Sequence, residues 1–426
     1  MECGLLMKPR PSNRWIRLAV LLAVLLLLIW QRDLWLGGLL NSRARLALQQ
    51  QEPDRALWWL SWMERLLGPA AETELLRARA FRHLGRWPEV EAALKRADEQ
   101  QAPRRLLERE QTLALAQSGQ LRRAEPQLAR LLSDDRDDPT DVCEAFVIGY
   151  MRSQRQANAL HLIDGWLADA PQDFRPFLYR ARIYRVSEEL KQAEADYREA
   201  LSRKPHDRRI MLELAETLLA GRRFNDAISC FQQAVSHPEL ASRAHVGLAQ
   251  CHLAEGRFDV AEINLQQAVK QDPRNPDANR ELGKLLSGNQ QFTDALPFLE
   301  TAASLAPRDY EGRYLLGQCL RNLQRPEEAE GHFDFVEQAR SELNNIRLLQ
   351  DELARNPRDV AVLEKMGEII YRYSDPDEGA VYLMAALDLN PSLPTAQKLL
   401  EEYFTAKIAE NPGYAATAAR YRQVEP

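Results

Sequence analysis

The residues able to do chemistry are few and scattered. His245, Cys251 and His252 lie close together and are all metal-ligand types. The run Ser133-Asp134-Asp135-Arg136-Asp137-Asp138-Pro139 has the acidic density of a calcium loop, but lacks the glycine and terminal glutamate that such a loop needs. The adjacent carboxylates Glu188-Glu189 and Glu401-Glu402 are most simply solvated faces. There is no glycine-rich phosphate loop, HExxH or GxSxG. Five cysteines, Cys3, Cys143, Cys230, Cys251 and Cys319, are odd in number, scattered and free of any CxxC, which supports neither a disulfide framework nor a zinc site. These observations predict no enzyme: no catalytic, cofactor-binding or metal-ligating residue, no cofactor, and no stretch long enough for a separate catalytic domain.

Any functional side chain must instead be positioned by a repeat. Ala193, Ala227, Ala261, Ala295 and Ala329 recur every 34 residues. Four residues after each comes a bulky apolar side chain (Tyr197, Phe231, Leu265, Leu299, Phe333), and three further on a short one (Ala200, Ala234, Ala268, Ala302, Val336). Twelve residues before each alanine is another small residue: Ala181, Ala215, Ala249, Gly283 or Gly317. Spacings of four and then three form one helical face, and small residues let two helix axes approach. Breaks such as Gly221-Arg222-Arg223 and Glu255-Gly256-Arg257 separate paired helices, and Pro205, Pro273 and Pro307 close units. Each unit is a helical hairpin that buries its face only by stacking on its neighbours.

This pattern resembles the tetratricopeptide repeat family. Leu282-Gly283, Ala295, Leu299, Ala302 and Pro307 stand at its signature places, while Phe177, Met211, His245, Asn279 and Arg313 replace its first-helix tryptophan. The resemblance implies an all-α, right-handed superhelical solenoid of tetratricopeptide helical hairpins, whose first helices line a concave groove for a protein or peptide partner. It also implies packing roles for His245 and His252, with Cys251 pointing elsewhere. Transferred by position, the inward-facing cations are Arg79, Arg82, Arg109, Arg152, Arg175, Arg182, Arg185, Arg209, Arg243, Arg280, Lys284 and Arg321. The inward acidic residues are fewer: Glu72, Asp141, Glu144, Glu216, Asp277 and Glu311. The resemblance thus implies a basic groove, densest at Arg175, Arg182, Arg185 and Arg209. An acidic segment or C-terminus would suit it, because a guanidinium pairs bidentately with a carboxylate. The competing account pairs these arginines with neighbouring glutamates. The Lys/Asn clamp of some chaperone-binding members is not recognisable.

The frame extends backwards through Ala159/Ile163/Trp166, Ala124/Leu128/Leu131, Val90/Leu94/Ala97 and Ala56/Leu60/Met63, giving divergent repeats over 37–173 and regular ones over 174–336. The period then breaks, since Gly317 to Gly367 is 50 residues. Residues 327–355 read as one long helix, projecting by about 24 Å, or as a helix followed by an extra one; the break itself occupies 337–359. A last repeat follows over 360–393, with Gly379 where alanine is expected. A capping helix spans 394–410, and a loosely ordered tail 411–426.

The N-terminus reads differently. A basic, cytoplasmic segment, 1–14, precedes a transmembrane anchor at 15–36, centred on the apolar run Leu18–Trp30. Arg17 and Arg32 must snorkel for it to reach spanning length. A cleaved signal peptide is the competing reading. Gly37-Gly38 reads as a hinge. Trp58, Trp59 and Trp62 read as a cap on the array or as an interfacial belt. The positive-inside bias predicts a single-pass membrane protein, N-terminus cytoplasmic, with the repeats extracytoplasmic (periplasmic if bacterial). The net charge is −6; the first 36 residues carry five Lys/Arg against Glu2 and Asp33, so the remainder is −9. That acidity argues against nucleic acid as a partner. The expectation is a membrane-anchored interaction scaffold with a protein or peptide partner and no small-molecule substrate. The alternative is an accessory subunit of an envelope enzyme or of an export or assembly machine, of the cytochrome c maturation or polysaccharide type. An RNA-binding helical repeat, as in the pentatricopeptide relatives, ranks last.

Overall fold

The computed structural model describes residues 35–134 and 138–421, which are helical and turn segments with no strand among them. The chain divides into two compact units, one up to Ala114 and one from Leu115. The first holds α1 (35–49), α2 (Pro53–Leu67), α3 (Ala71–His83) and α4 (Trp87–Glu99); α5 (Arg104–Gln117) runs across the boundary. The second opens with short α6 (Leu121–Ala124), a 3-10 turn and α7 (Leu128–Leu132), then α8 (Pro139–Arg152) and α9 (Gln156–Asp169). The regular hairpins follow: α10/α11 (Arg175–Val186, Leu190–Arg203), α12/α13 (Arg208–Ala220, Phe224–Ala234), α14/α15 (Pro238–Ala254, Phe258–Gln271) and α16/α17 (Pro276–Gly288, Phe292–Leu305). The last elements are α18 (Tyr310–Asn322), α19 (Pro326–Leu343), α20 (Ile346–Arg355), α21 (Val360–Tyr373), α22 (Pro376–Leu389), α23 (Pro394–Ile408) and α24 (Ala415–Tyr421).

The alanine stripe is the core. Ala193, Tyr197 and Ala200, and their counterparts Ala227/Phe231/Ala234 and Ala261/Leu265/Ala268, are fully buried. Facing them, a methyl group on Gly247 would meet the Phe231 ring at 2.2 Å, and one on Gly283 would meet Leu299 at 2.6 Å. Gly379 departs from alanine for the same reason pushed further: a Cβ there would lie 2.5 Å from the backbone nitrogen of Tyr371, so α21 and α22 touch backbone to backbone.

The turn inside each hairpin repeats as strictly as the stripe. Gln51, Gly85, Gly119, Gln154, Glu188, Arg222, Gly256, Gln290 and Gln324 all have left-handed φ, and they lie 34 residues apart but for one 35-residue step. Just past these helix ends the chain closes the same hydrogen bond, as in Arg223 N–H to Leu218 C=O at 2.8 Å and Gln291 N–H to Leu286 C=O at 2.9 Å. This is a Schellman-type helix end. Starts are set by side-chain caps: Asp207, Asp309, Asp359 and Asp375 each accept a backbone N–H of the first turn.

Four expectations are corrected. A single-pass membrane protein is not supported, because among the described residues no helix is long and apolar enough to cross a membrane. The expected span, 15–36, lies outside the described residues apart from Trp35 and Leu36, which begin α1. Gly37 and Gly38 lie inside α1 and make no hinge. That helix is amphipathic, burying Leu40, Ala44, Ala47 and Leu48 on Ala56, Leu60 and Met63 of α2. Trp58 and Trp62 remain exposed and meet edge to face, while Trp59 is partly buried in the same cluster. Over 327–355 the reading of one long projecting helix gives way to its alternative, a helix followed by an extra one: the chain turns at Asn344-Asn345, and α20 lays Ile346, Leu349 and Leu353 on Val362, Leu363 and Met366 of α21. Finally, the segment after Asn411 is ordered as far as Tyr421, whose ring stacks on Phe404 at 5.4 Å.

The second unit also returns on itself. Arg122 Nη1 donates to the Asp388 carbonyl at 2.6 Å, Gln154 Nε2 donates to Glu378 Oε1 at 2.8 Å, and Gly119 abuts Val381. Partners more than two hundred residues apart thus form a seam between the α6–α9 region and α20–α22.

Close approach makes a sharp prediction. Gly379→Ala should lower the thermal midpoint by several degrees, the overpacking cost being about 1–3 kcal/mol. Gly331→Ala, in α19 with open space around it, should raise stability by about 0.5–1 kcal/mol through helix propensity. Calorimetry of the two variants checks the pair; equal midpoints would contradict the packing described.

Candidate interaction surface

The first helices of successive hairpins, α8, α10, α12, α14, α16 and α18, meet in succession and form one layer, α10 reaching α12 through Arg182 and Arg185. Stacking at a 34-residue period brings a residue next to one 27 to 31 positions along, one to two helical turns short of the period. That geometry fills the layer with ion pairs. Arg182 holds Glu213 bidentately at 2.6 and 2.8 Å, and Tyr197 donates to the same carboxylate at 3.0 Å. Glu216 accepts from Arg185 at 3.0 Å and from Arg243 at 2.5 and 2.7 Å. Arg209 meets Glu239 at 3.1 Å, Arg280 meets Asp309 at 2.8 Å, and Lys284 meets Glu311 at 2.9 Å. Arg175 is buried, bonded to Glu144 at 2.8 Å and Asp173 at 2.7 Å, with its guanidinium 5.2 Å from the Trp166 ring centre.

The other inward cations divide by unit. In the first, Arg82 is buried 3.6 Å from Glu110, Arg109 is buried against the same carboxylate at 2.5 Å, and Arg79 is half-buried. In the second, Arg152 is half-buried, and exposed Arg321 lies over the Phe333 ring at 5.4 Å. The cations most open to solvent are therefore Arg209, Arg243, Lys284 and Arg321. Position-by-position transfer missed the carboxylates Glu213, Glu239 and Asp309, although the 31-residue spacing from Arg182 to Glu213 and from Arg185 to Glu216 was available as a signal.

The metal-type residues of α14 diverge. His245 Nδ1 is 3.0 Å from Asn264 Oδ1, and Cys251 is fully buried in the hydrophobic core. Burial pushes the Cys251 thiol up to about 11, so it is no nucleophile at neutral pH. Burial, with Arg257 nearby, holds the His252 imidazole below its ordinary value.

With this geometry in view, comparison with known proteins is informative for one segment. Residues 178–225, 212–276 and 280–341 match the tetratricopeptide repeat model. The match supports that family. No curated protein sequence matches the chain. Among solved structures, PilF of Pseudomonas aeruginosa is similar at 18% identity, TM-score 0.42, over 55% of this chain and 100% of that one. The type IV pilus biogenesis factor PilW is similar at 21% identity, TM-score 0.41, over 55% and 99%. Cut9, in the Cut9–Hcn1 hetero-tetramer of the APC/C, gives 16% identity, TM-score 0.43, over 84% and 68%. These likenesses carry no functional inference.

The Glu213 cluster sets a pH limit. Burial works to raise this carboxyl's pKa, but the Arg182 hydrogen bonds and charge, aided by Tyr197 and Arg185, hold it below the ordinary carboxylate value. A carboxyl depressed in the folded state contributes stability that is present above its unfolded pKa, near 4.3, and lost as pH falls through the folded value. Glu213→Ala should cost about 1–2 kcal/mol at pH 7, because it leaves a half-buried guanidinium and the hydroxyl of buried Tyr197 unpaired. The penalty should shrink below pH 4. Glu239→Ala, at an exposed pair, should change stability by less than about 0.5 kcal/mol. Urea titrations at pH 7 and pH 3 test both.

Proposed function

We propose that this chain is a non-catalytic interaction scaffold whose first-helix layer holds a partner peptide, with acidic residues of that peptide engaging the solvent-open cations. The observation that carries the reading is the stack of first helices α8 to α18, which presents charged side chains in one register. Because most of the arginines already pair with carboxylates, the layer is close to neutral and a partner's carboxylates must exchange with resident ones. Exchange is cheap where the resident pair is exposed, since such pairs contribute only about 0–1 kcal/mol. Arg209 with Glu239 and Lys284 with Glu311 fit that description, and Arg321 has its guanidinium over an aromatic ring. Arg182, bonded to a mostly buried Glu213, has a structural role beside them. Binding carried by these groups weakens with salt.

The test uses the full chain on an array of peptides rich in Asp and Glu, against the same peptides with Asn and Gln. Acidic peptides should bind and their neutral counterparts should not. Arg209→Glu combined with Arg321→Glu should reduce capture at least tenfold, about 1.4 kcal/mol, at an unchanged thermal midpoint. Capture that ignores the peptide charge, or survives the double reversal, would refute the reading.

A further inference from the structure

The insertion that breaks the period leaves one helix weakly held. None of the ten residues of α20 is buried, whereas α19 before it and α21 after it each bury a stripe. Its hold on the second unit is apolar: Ile346, Leu349 and Leu353, at i, i+3 and i+7, lie half-buried on Val362, Leu363 and Met366 of α21. Arg347, Asp351, Glu352 and Arg355 are exposed, and among the described residues no side chain of α20 makes an ion pair or a hydrogen bond. Gln350, Leu353 and Ala354 also line a cleft of about 770 Å³, so part of the helix meets open space.

A helix of ten residues is marginal in water by itself, so α20 stays helical only while it is docked. Short turns bound it on both sides, at Asn344-Asn345 and at Asn356-Pro357-Arg358. Its seat, in contrast, is built without it. Gly379 of α22 meets Tyr371 of α21 backbone to backbone, and Gly367 abuts Leu383. The seat residues belong to a cluster completed by Ile370, Tyr382 and Ala386. Removing α20 therefore uncovers an apolar strip on a pair of helices that remains closed.

We propose that α20 is a releasable strap on a helix-binding seat: it undocks as a unit while the repeats stay folded, and an amphipathic helix of a partner protein takes its place. Segments with few buried contacts are the ones that open locally. The occupant's chemistry is read from the helix now seated there, with apolar residues at i, i+3 and i+7 and an exposed charged face. An extended peptide would leave backbone groups unpaired against this apolar strip, whereas a helix bonds its own. While seated, α20 competes from within the same chain, so the contact is autoinhibitory. The seat lies outside the α8–α18 layer, so its failure leaves the peptide reading untouched.

Hydrogen exchange of the full-length chain reads the release. Amides of 350–355 should exchange on the order of a hundredfold faster than those of 366–371. Leu349→Ala should speed α20 about five- to tenfold more, with α21 and the thermal midpoint unchanged. A labelled peptide of residues 344–357 then probes the seat. Its two arginines balance Asp351 and Glu352, so it is no ligand for the first-helix cations. A tethered helix acts at an effective concentration of about 1 mM, and release about one time in a hundred sets a Kd of about 10 μM for the peptide on a chain carrying Leu349→Asp and Leu353→Asp. The unaltered chain should bind it about a hundredfold more weakly, because its own helix fills the seat. Should the aspartate pair fail to fold, Leu349→Ala with Leu353→Ala takes its place. Exchange of α20 in step with α21 would overturn the proposal, as would no saturable binding to the released chain. Equal binding by a peptide with Ile346, Leu349 and Leu353 all replaced by serine would overturn it too.

Discussion

Within each hairpin two helices come so close that the contact positions admit a methyl group or nothing. The bulky residue of the second helix fills the space between its own first helix and the next one, as Leu299 does on Gly283 and Phe231 does on Gly247. One side chain thus couples neighbouring repeats, and neither hairpin can rotate or slide without an overlap of the kind that close-packed interiors do not tolerate. The left-handed turns follow from the same constraint. A chain that must reverse tightly enough for α12 and α13, or α16 and α17, to touch needs the same Schellman closure each time, whatever residue stands at the turn. Glutamine or arginine is held there at Gln290, Gln324 and Arg222, where isolated propensity would select glycine.

Fixed stacking then decides the electrostatics. Because the layer register is constant, an arginine on one first helix meets the residue one or two turns back on the next, and in this chain that residue is repeatedly a carboxylate. Graded burial gives the resulting pairs different uses. Arg175 with Glu144 is shielded from water and Arg182 with Glu213 partly so, and both tie one repeat to the next. Pairs such as Arg209 with Glu239 are solvated and hold weakly. A chain of net charge −6 can therefore carry many arginines on its first helices with most of their charge already paired.

Much of this was legible from residue spacing, and the losses have physical causes. The stripe is a local, strictly periodic signal, and every one of its alanines from Ala193 to Ala329 is buried. The register break after Phe333 was also visible, but whether α19 and α20 were one helix or two turned on Asn344-Asn345, a pair that periodicity does not weigh. The left-handed positions went unseen because glycine marks only Gly85, Gly119 and Gly256 of the nine. Pairing of the arginines with neighbouring glutamates stood as the competing account, and Glu144, Glu216 and Glu311 were among the inward acids, but Glu213, Glu239 and Asp309 were missed because the pairing lives between helices. The tail was misjudged because its hold on the fold is aromatic: Tyr414 and Tyr421 each stack on Phe404.

The seam is a different kind of property, since no single residue encodes it. Each repeat turns the chain by a small fixed amount, and only the accumulated rotation brings Arg122 to Asp388. Close contact after such an accumulation requires the far surfaces to be shaped for each other, and here the irregular insertion supplies that shape. Without the insertion that lengthens α19 and adds α20, the period would run on into α21, and Leu353 and Ala354 would be missing from the wall facing Leu121. The insertion has its own apolar face, packed on α21, so it is a built part of the fold. A contact between helices with nothing further to accommodate would close around small residues, as the hairpins do. This one leaves a partly open, mostly apolar cleft.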